Sequence, residues 1–171
     1  AKAMLTSKFQ MKDLSEVKSI LSMEITHNQP TRKLNILMHT YIMEALSLSN
    51  MTDCQPVTTP MIINLKLKKL TATAKDDYTL PYHQAIGKLL YLTISCQPDI
   101  YYTVHYLSLF INRWSSKHWQ AVKQVLHYLK GTINLALCYN QRYINQCNRS
   151  TLVPQLTCNM NHGPLQIHVN C

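Results

Sequence analysis

The sequence predicts an α+β fold, and three features of its hydrophobic pattern lead to that prediction. Residues 17–25 and 33–38 alternate between apolar and polar side chains, which is typical of strands, and the polar HNQPTR between them predicts a hairpin turn. Residues 81–131 carry apolar residues three and four positions apart, which is typical of packed helices. Residues 133–139 (INLALCY) again predict a strand.

The first half of the chain predicts a hairpin, a short helix and a connector. Residues 1–9 indicate the end of a helix, and alternate residues from Val17 to Ile25 are expected to share one face of a strand. Residues 40–50 predict a short helix with Ile42, Ala45 and Leu46 on its apolar side. Residues 51–80 contain prolines and many threonines, and they are long for an unstructured loop. We therefore interpret 51–80 as a boundary or an extended arm.

Residues 81–131 predict a block of three helices. The first begins at Pro81, the second begins at Pro98, and the third follows the cap candidate Ser115, because proline favours a first helical position and serine caps a helix start. Gly131 is expected just after the third helix, where a left-handed residue is common. Residues 132–171 begin with a strand and then show no clear period, apart from the alternating PLQIHV at 164–169.

The charge balance indicates a polyanionic partner. The 171 residues include 17 Lys and Arg against 8 Asp and Glu, a formal charge of +9, so nucleic acid is the expected partner. Every acid lies within the first 99 residues, which excludes a carboxylate metal site built from 100–171 alone. The sequence shows no apolar run of 18 residues, no secretory signal and no Cys-x-x-Cys pair among six cysteines. We expect an intracellular protein, in cytoplasm or nucleus, with no membrane partner.

Four blocks of the sequence resemble the polymerase of copia-type retrotransposons. They are SKFQMKDLSEVKSILSMEI at 7–25, HTYIMEALSLSNMTDCQPVTTPM at 39–61, PYHQAIGKLLYLTISCQPDI at 81–100 and KHWQAVKQVLHYLKGTINLALCY at 117–139. The family patterns are roughly KFxMKDLGxxxxxLGxEI, QxxYIxxxLxxFxMxxxxPVxTP, YRxxIGxLxYLxxxTRPDI and HWxAxKRxLRYLxGTxxxGLxY. The blocks follow one another in family order, which makes the resemblance far more specific than one short motif.

The resemblance implies a part of a Pol polyprotein that contains protease, integrase, reverse transcriptase and ribonuclease H. Residues 1–50 would be the end of the palm and a thumb-like segment, 51–80 a connector, 81–131 the connection block, and 132–171 an incomplete, degenerate start of ribonuclease H. A primer-side hairpin is implied at five residues: Leu21, Ser22, Met23, Glu24 and Ile25.

Departures from the family pattern predict an inactive chain. The family's Tyr-x-Asp-Asp turn lies upstream of the first block and Ala1 follows it, so we expect no catalytic residue and no metal ligand here. Asn161 and Gly163 align with the two aspartates that open the family's ribonuclease H. The intact family enzyme uses Mg²⁺, for which this chain is expected to have no site. A longer polypeptide that supplied the upstream turn would reverse this expectation. Ser22 replaces a family glycine, which suggests relaxed backbone demands.

Basic side chains are the candidates for weak, non-specific and salt-sensitive binding of RNA or DNA. They are Arg32, Lys33, Lys66, Lys68, Lys69, Lys123, His127 and Lys130. The alternative is that these residues form ordinary solvated surfaces. The clustered Tyr101, Tyr102 and Tyr106 could stack on bases, although partly buried packing tyrosines are more common.

Two other functions stay open at this point. The hairpin is expected to have lost its partner strands, so its open edge and exposed palm face could dock another polypeptide. A small zinc-binding module is the second alternative, since His and Cys side chains are zinc ligands. Its candidate residues lie in the tail: Cys147, Cys158, His162, His168 and Cys171.

Overall fold

An antiparallel sheet and four helices make up the structure, a computed structural model that describes residues 9–10, 16–68 and 80–140 and the backbone of 155–159. The strands are β1 Ser19–Ile20, β2 Met23–Asn28, β3 Lys33–Leu37, β4 Leu135–Asn140 and β5 Gln155–Asn159. The helices are α1 His39–Leu48, α2 Tyr82–Ser95, α3 Tyr101–Ser108 and α4 Ser116–Gly131, and a 3-10 turn at Pro98–Ile100 precedes α3. The predicted α+β class is confirmed. The predicted helix end at 1–9 lies almost wholly outside the described residues.

The sheet joins the two ends of the described chain. Its strand order is β1-β2-β3-β4-β5, with every neighbouring pair antiparallel. β3 pairs with β4 so that Leu34 lies opposite Tyr139 and Ile36 opposite Leu137. The expected loss of every partner strand beside the hairpin is therefore wrong. The chain returns after α4 and covers the edge of β3, and Met23 and Ile36 pack against the core.

A tight turn interrupts the strand predicted over 17–25. Ile20 pairs with Met23, and the two residues between them, Leu21 and Ser22, have φ of 50° and 63°. A two-residue hairpin loop with positive φ at both positions is typical of a type I′ turn. The expectation of one continuous strand face is wrong, because the turn reverses the chain. The expectation of relaxed backbone demands at Ser22 is also wrong, because glycine adopts a positive φ more readily than serine does.

The helical stripes form the core as predicted. Side chains of α1, α2, α3 and α4 join one buried apolar cluster that also includes Leu137 of β4. The fully or almost fully buried members include Ile42, Leu46, Tyr82, Ile86, Leu89, Leu92, Val104, Leu107, Val122, Leu126 and Leu129. The helix predicted from Pro98 is shorter than expected. α3 ends at Ser108, and Ile111 lies in the following turn. The division of the chain into four segments stays a prediction.

Gly131 is the last residue of α4, and its predicted position beyond the helix is wrong. Its φ is not positive. A Cβ atom at this position would lie 3.1 Å from Cβ of Pro56. The glycine therefore allows the chain around Pro56 to approach the end of α4.

Residues 51–68, here called the strap, contain no helix or strand. The backbone N–H of Val57 donates to the carbonyl oxygen of His127 (3.3 Å), and Nε2 of Gln124 donates to the carbonyl oxygen of Thr59 (3.0 Å). Leu65 and Leu67 of the strap pack against the core. The described part of the predicted connector is thus hydrogen-bonded to α4. None of the helices in the described ranges is long and apolar enough to cross a membrane.

Candidate nucleic-acid interface

The β1–β2 turn lies at the surface and is tied to α2. Leu21 is 71% exposed, and its carbonyl oxygen accepts a hydrogen bond from the hydroxyl of Tyr91 at 2.7 Å. The backbone N–H of Ile25 donates to the carbonyl oxygen of Lys18 at 2.8 Å, which closes the hairpin. The structure therefore presents the β1–β2 turn, where the resemblance implies a primer-side hairpin, to solvent, and a helix residue 70 positions further along the chain holds it there.

A second polar contact ties the same hairpin to α1. Oγ1 of Thr40 donates to Oε1 of Glu24 at 3.2 Å. Met23, Glu24 and Ile25 are half-buried, while Ser22 is exposed with Leu21. Only the turn residues of the implied primer-side hairpin are thus presented for contact.

A small cluster of α1 and α2 side chains supports these contacts. The rings of Tyr41 and Tyr91 meet edge to face with centroids 5.1 Å apart. Nζ of Lys88 lies 4.4 Å from the Tyr41 ring centroid and 3.1 Å from Oε2 of Glu44. Burial raises the pKa of Tyr41, while the nearby Lys88 cation opposes that shift. Sequence reasoning missed this cluster, since nothing in the local pattern links 41 with 88 or 91.

The basic candidates lie on three different elements. Arg32, with φ of 50°, ends the β2–β3 turn and Lys33 begins β3. Lys66 and Lys68 are exposed on the strap, on either side of the half-buried Leu67. Lys69 lies outside the described residues, as does the predicted ribonuclease H position Asn161.

The predicted basic stripe of α4 is partly engaged by the strap. Nζ of Lys130 donates to the carbonyl oxygen of Thr52 at 2.7 Å. Nδ1 of His127 lies 2.5 Å from the carbonyl oxygen of Gln55. Lys123 is exposed. Of the three stripe residues, Lys123 is therefore the one presented most fully to solvent.

The described acidic side chains do not converge on one point. Glu24, Glu44, Asp53 and Asp99 contact Thr40, Lys88, Thr52 and Tyr128 respectively. Within the described ranges no three His, Cys, Asp or Glu side chains lie close enough to hold a metal ion. These residues do not fit the two-metal site of a polymerase. The zinc alternative stays a prediction, because its five residues lie outside the described side chains.

Comparison with known proteins identifies the class of this sequence. Residues 1–63 match the family model of the reverse transcriptase (RNA-dependent DNA polymerase). The chain is 37% identical over 140 residues to the Retrovirus-related Pol polyprotein from transposon TNT 1-94 of Nicotiana tabacum, covering 79% of this chain and 10% of that protein. It is 38% identical over 130 residues to that from transposon RE1 of Arabidopsis thaliana, covering 76% and 9%. No solved structure matches the chain.

A shorter relative extends the similarity into the tail. The putative transposon Ty5-1 protein of Saccharomyces cerevisiae is 29% identical over 161 residues, which are 94% of this chain and 49% of that protein. The chain is thus homologous to part of a reverse transcriptase. More particularly, it belongs to the reverse-transcriptase region of copia-type retrotransposon Pol polyproteins. It spans about a tenth of the length of the two plant polyproteins.

Proposed function

We propose that this chain is a nucleic-acid-holding segment of a copia-type reverse transcriptase that does not itself catalyse DNA synthesis or RNA cleavage. Its β1–β2 turn acts on the primer side, and four exposed lysines, Lys33, Lys66, Lys68 and Lys123, hold phosphates of RNA or DNA without reading sequence. The observation that carries the inactivity is the dispersal of four described carboxylates, Glu24, Glu44, Asp53 and Asp99, which contact four different residues. Strand synthesis needs carboxylates gathered around Mg²⁺, which these residues do not provide.

Charge supports the binding half of the proposal. The chain carries +9, and Lys33, Lys66, Lys68 and Lys123 are exposed on the hairpin, strap and α4. Exposed cations release counterions when they contact phosphates, so the affinity must fall as salt rises. No base-specific contact is required for this behaviour.

Primer extension and salt-dependent binding test the two halves separately. We expect the purified chain to extend no primed RNA template with Mg²⁺ or Mn²⁺. In fluorescence anisotropy with a labelled single strand, we expect log Kd to rise with log salt with a slope of about 2 or more, at about 0.7 per phosphate contact. Extension that persists through repeated purification would contradict the inactivity. A slope below about 0.7 would contradict phosphate binding.

A second candidate function, docking of another polypeptide, is favoured by exposed apolar residues on the hairpin. Val17, Ile20 and Leu21 are 57%, 49% and 71% exposed. β1 is only two residues long and lies at the edge of the described sheet. A polypeptide that covered this edge would bury these side chains. Replacing Ile20 and Leu21 by serine should then weaken pull-down of a copia-type polymerase without changing the salt dependence of oligonucleotide binding.

A further inference from the structure

We propose that the exposed tyrosines of α3 and the lysines of the strap form a stacking platform for single-stranded nucleic acid. This proposal rests on the proposed function and locates its binding site. Tyr102 and Tyr101 supply ring faces for bases, and Lys66 and Lys68 supply cations for the adjoining phosphates. Alternating aromatic and cationic contacts are how proteins hold single strands without sequence preference.

The two tyrosines of the platform, Tyr101 and Tyr102, do not pack into the core. Tyr102 is 71% exposed and Tyr101 is 52% exposed. The buried face of α3 is made by Thr103, Val104 and Leu107. Tyrosine usually buries most of its ring, so two adjacent exposed rings need another explanation. The three clustered tyrosines differ in burial: Tyr106 is half-buried, whereas Tyr101 and Tyr102 are exposed.

Tyr101 already has a flat aromatic neighbour. Its ring lies nearly parallel to the ring of His105, with 7° between the planes and 5.6 Å between the centroids. His105 is exposed as well. A base could extend this offset stack, because every base offers a π face.

The part of the strap that carries the two lysines is hydrogen-bonded to α3. The backbone N–H of Leu67 donates to the hydroxyl of Tyr106 at 3.1 Å, and Tyr106 follows Tyr102 by one helical turn on the same side of α3. Burial alternates along 65–68, so that Leu67 is half-buried while Lys66 and Lys68 are exposed. The contact between Leu67 and Tyr106 thus holds the backbone that carries the two exposed lysines beside α3.

The charge of this surface suits a polyanion. Asp99 is the acid nearest to the platform tyrosines in the sequence. Its Oδ2 accepts a hydrogen bond from the hydroxyl of Tyr128 at 2.5 Å. The carboxylate is therefore directed toward α4. Two lysines and exposed rings favour a single-stranded nucleic acid over an apolar protein segment as the occupant.

Oligonucleotide binding by variants of the full chain tests the stacking. Anisotropy is measured with labelled oligo(dT) and oligo(U) of 15 nucleotides. Tyr102→Ala should weaken binding of both by about 10-fold, while Tyr102→Phe should stay within about 2-fold of the unsubstituted chain, since it keeps the ring. The matched control is Ile94→Ala, which removes an 81% exposed side chain from α2 and should change nothing.

Salt dependence tests the cations. Replacing Lys66 and Lys68 together by alanine should lower the slope of log Kd against log salt by about 1.4, or about 0.7 per lost phosphate contact. Lys117→Ala, which removes an exposed cation at the start of α4, should leave the slope unchanged. If the slope fell by the same amount for each removed charge in the two variants, the platform would be overturned, because binding would then follow net charge alone.

The outcomes separate this proposal from the proposed function. An unsubstituted chain that binds neither oligonucleotide at low salt contradicts the proposed function and the platform together. If binding is salt-sensitive but the Tyr102→Ala and Ile94→Ala variants bind the oligonucleotides with equal affinity, only the platform is overturned. Loss of affinity in Tyr102→Phe as large as in Tyr102→Ala, or tighter binding to duplex than to single strands, also overturns stacking.

Discussion

The helical core and the β1–β2–β3 sheet are held in place by different forces. In α1, α2 and α4 the inward side chains reach 0–1% exposure, as Ile42, Ile86 and Leu126 show. In the described side chains of β1, β2 and β3 none is fully buried. The sheet is fixed to the helices by half-buried apolar contacts and by single polar contacts, such as that from the hydroxyl of Tyr91 to the carbonyl oxygen of Leu21.

This difference predicts different responses to substitution. A core held by close packing loses free energy in proportion to the cavity that a truncation leaves. A hairpin held by a few hydrogen bonds loses about 0.5–1.5 kcal/mol for each one, and the loss stays local. The function proposed for the hairpin depends on the second kind of force, since the turn must be placed without being buried.

The largest effect is expected from the same substitution at a buried and an exposed site of α2. Ile86 is 0% exposed and Ile94 is 81% exposed. Ile86→Ala should lower the free energy of unfolding by about 2–5 kcal/mol because it leaves a cavity. Ile94→Ala should change it by less than about 0.5 kcal/mol. Urea unfolding followed by circular dichroism measures both. Equal losses would show that α2 does not pack as described.

A pH effect is expected next, at the start of α4. The backbone N–H of Ser115 donates to Nδ1 of His118 at 3.0 Å, so the ring must be neutral at Nδ1. Burial lowers the pKa of His118 from its ordinary 6.5. The His118 ring therefore binds a proton more tightly in the unfolded chain than in the folded one. The stability contributed by neutral His118 is present above pH 6.5 and is lost as pH falls through the lowered pKa. Losing this cap should cost about 1 kcal/mol.

Comparing unfolding midpoints at pH 7.5 and 5.5 tests this contribution. His118→Gln should show a smaller acid loss than the unsubstituted chain, because glutamine at this position can keep the cap without titrating. His83→Gln, at an exposed site of α2, is the matched control and should leave the acid loss unchanged. An identical pH dependence in all three proteins would contradict the role of His118.

Ser22→Gly should stabilise the hairpin by about 0.5–1 kcal/mol. Ser22 has φ of 63°, a conformation that costs a serine about 1 kcal/mol or more and costs glycine little. Amide exchange at Ile25, whose N–H closes the hairpin onto Lys18, reports the local change. Ser22→Ala serves as the control, since it removes the hydroxyl but keeps the Cβ. Equal slowing in both variants would exclude backbone strain as the cause.

These cases show which parts of the fold the sequence could predict. Helices with apolar residues every three or four positions were predicted well, because burial repeats with the helix period. The turn at Leu21 and Ser22 was missed, because neither residue signals a positive φ and the alternating pattern continues through it. The α3 tyrosines could be noted as a cluster, but the exposure of Tyr101 and Tyr102 depends on how α3 packs.

The weakest link between the two regions is expected to give the smallest effect. Tyr91→Phe removes the hydroxyl that donates to the carbonyl oxygen of Leu21 at 2.7 Å and keeps the ring that contacts Tyr41. The global free energy of unfolding should fall by only about 0.5 kcal/mol, since the carbonyl can bond to water instead. Amide exchange in 20–25 should nevertheless become faster, because the turn loses its tie to α2. Tyr102→Phe, which removes an exposed hydroxyl from α3, is the control and should leave that exchange unchanged. If Tyr91→Phe also leaves it unchanged, the packing of Met23 and Ile36 and the contact between Thr40 and Glu24 suffice to position the turn, and the role given to the Tyr91 hydroxyl fails.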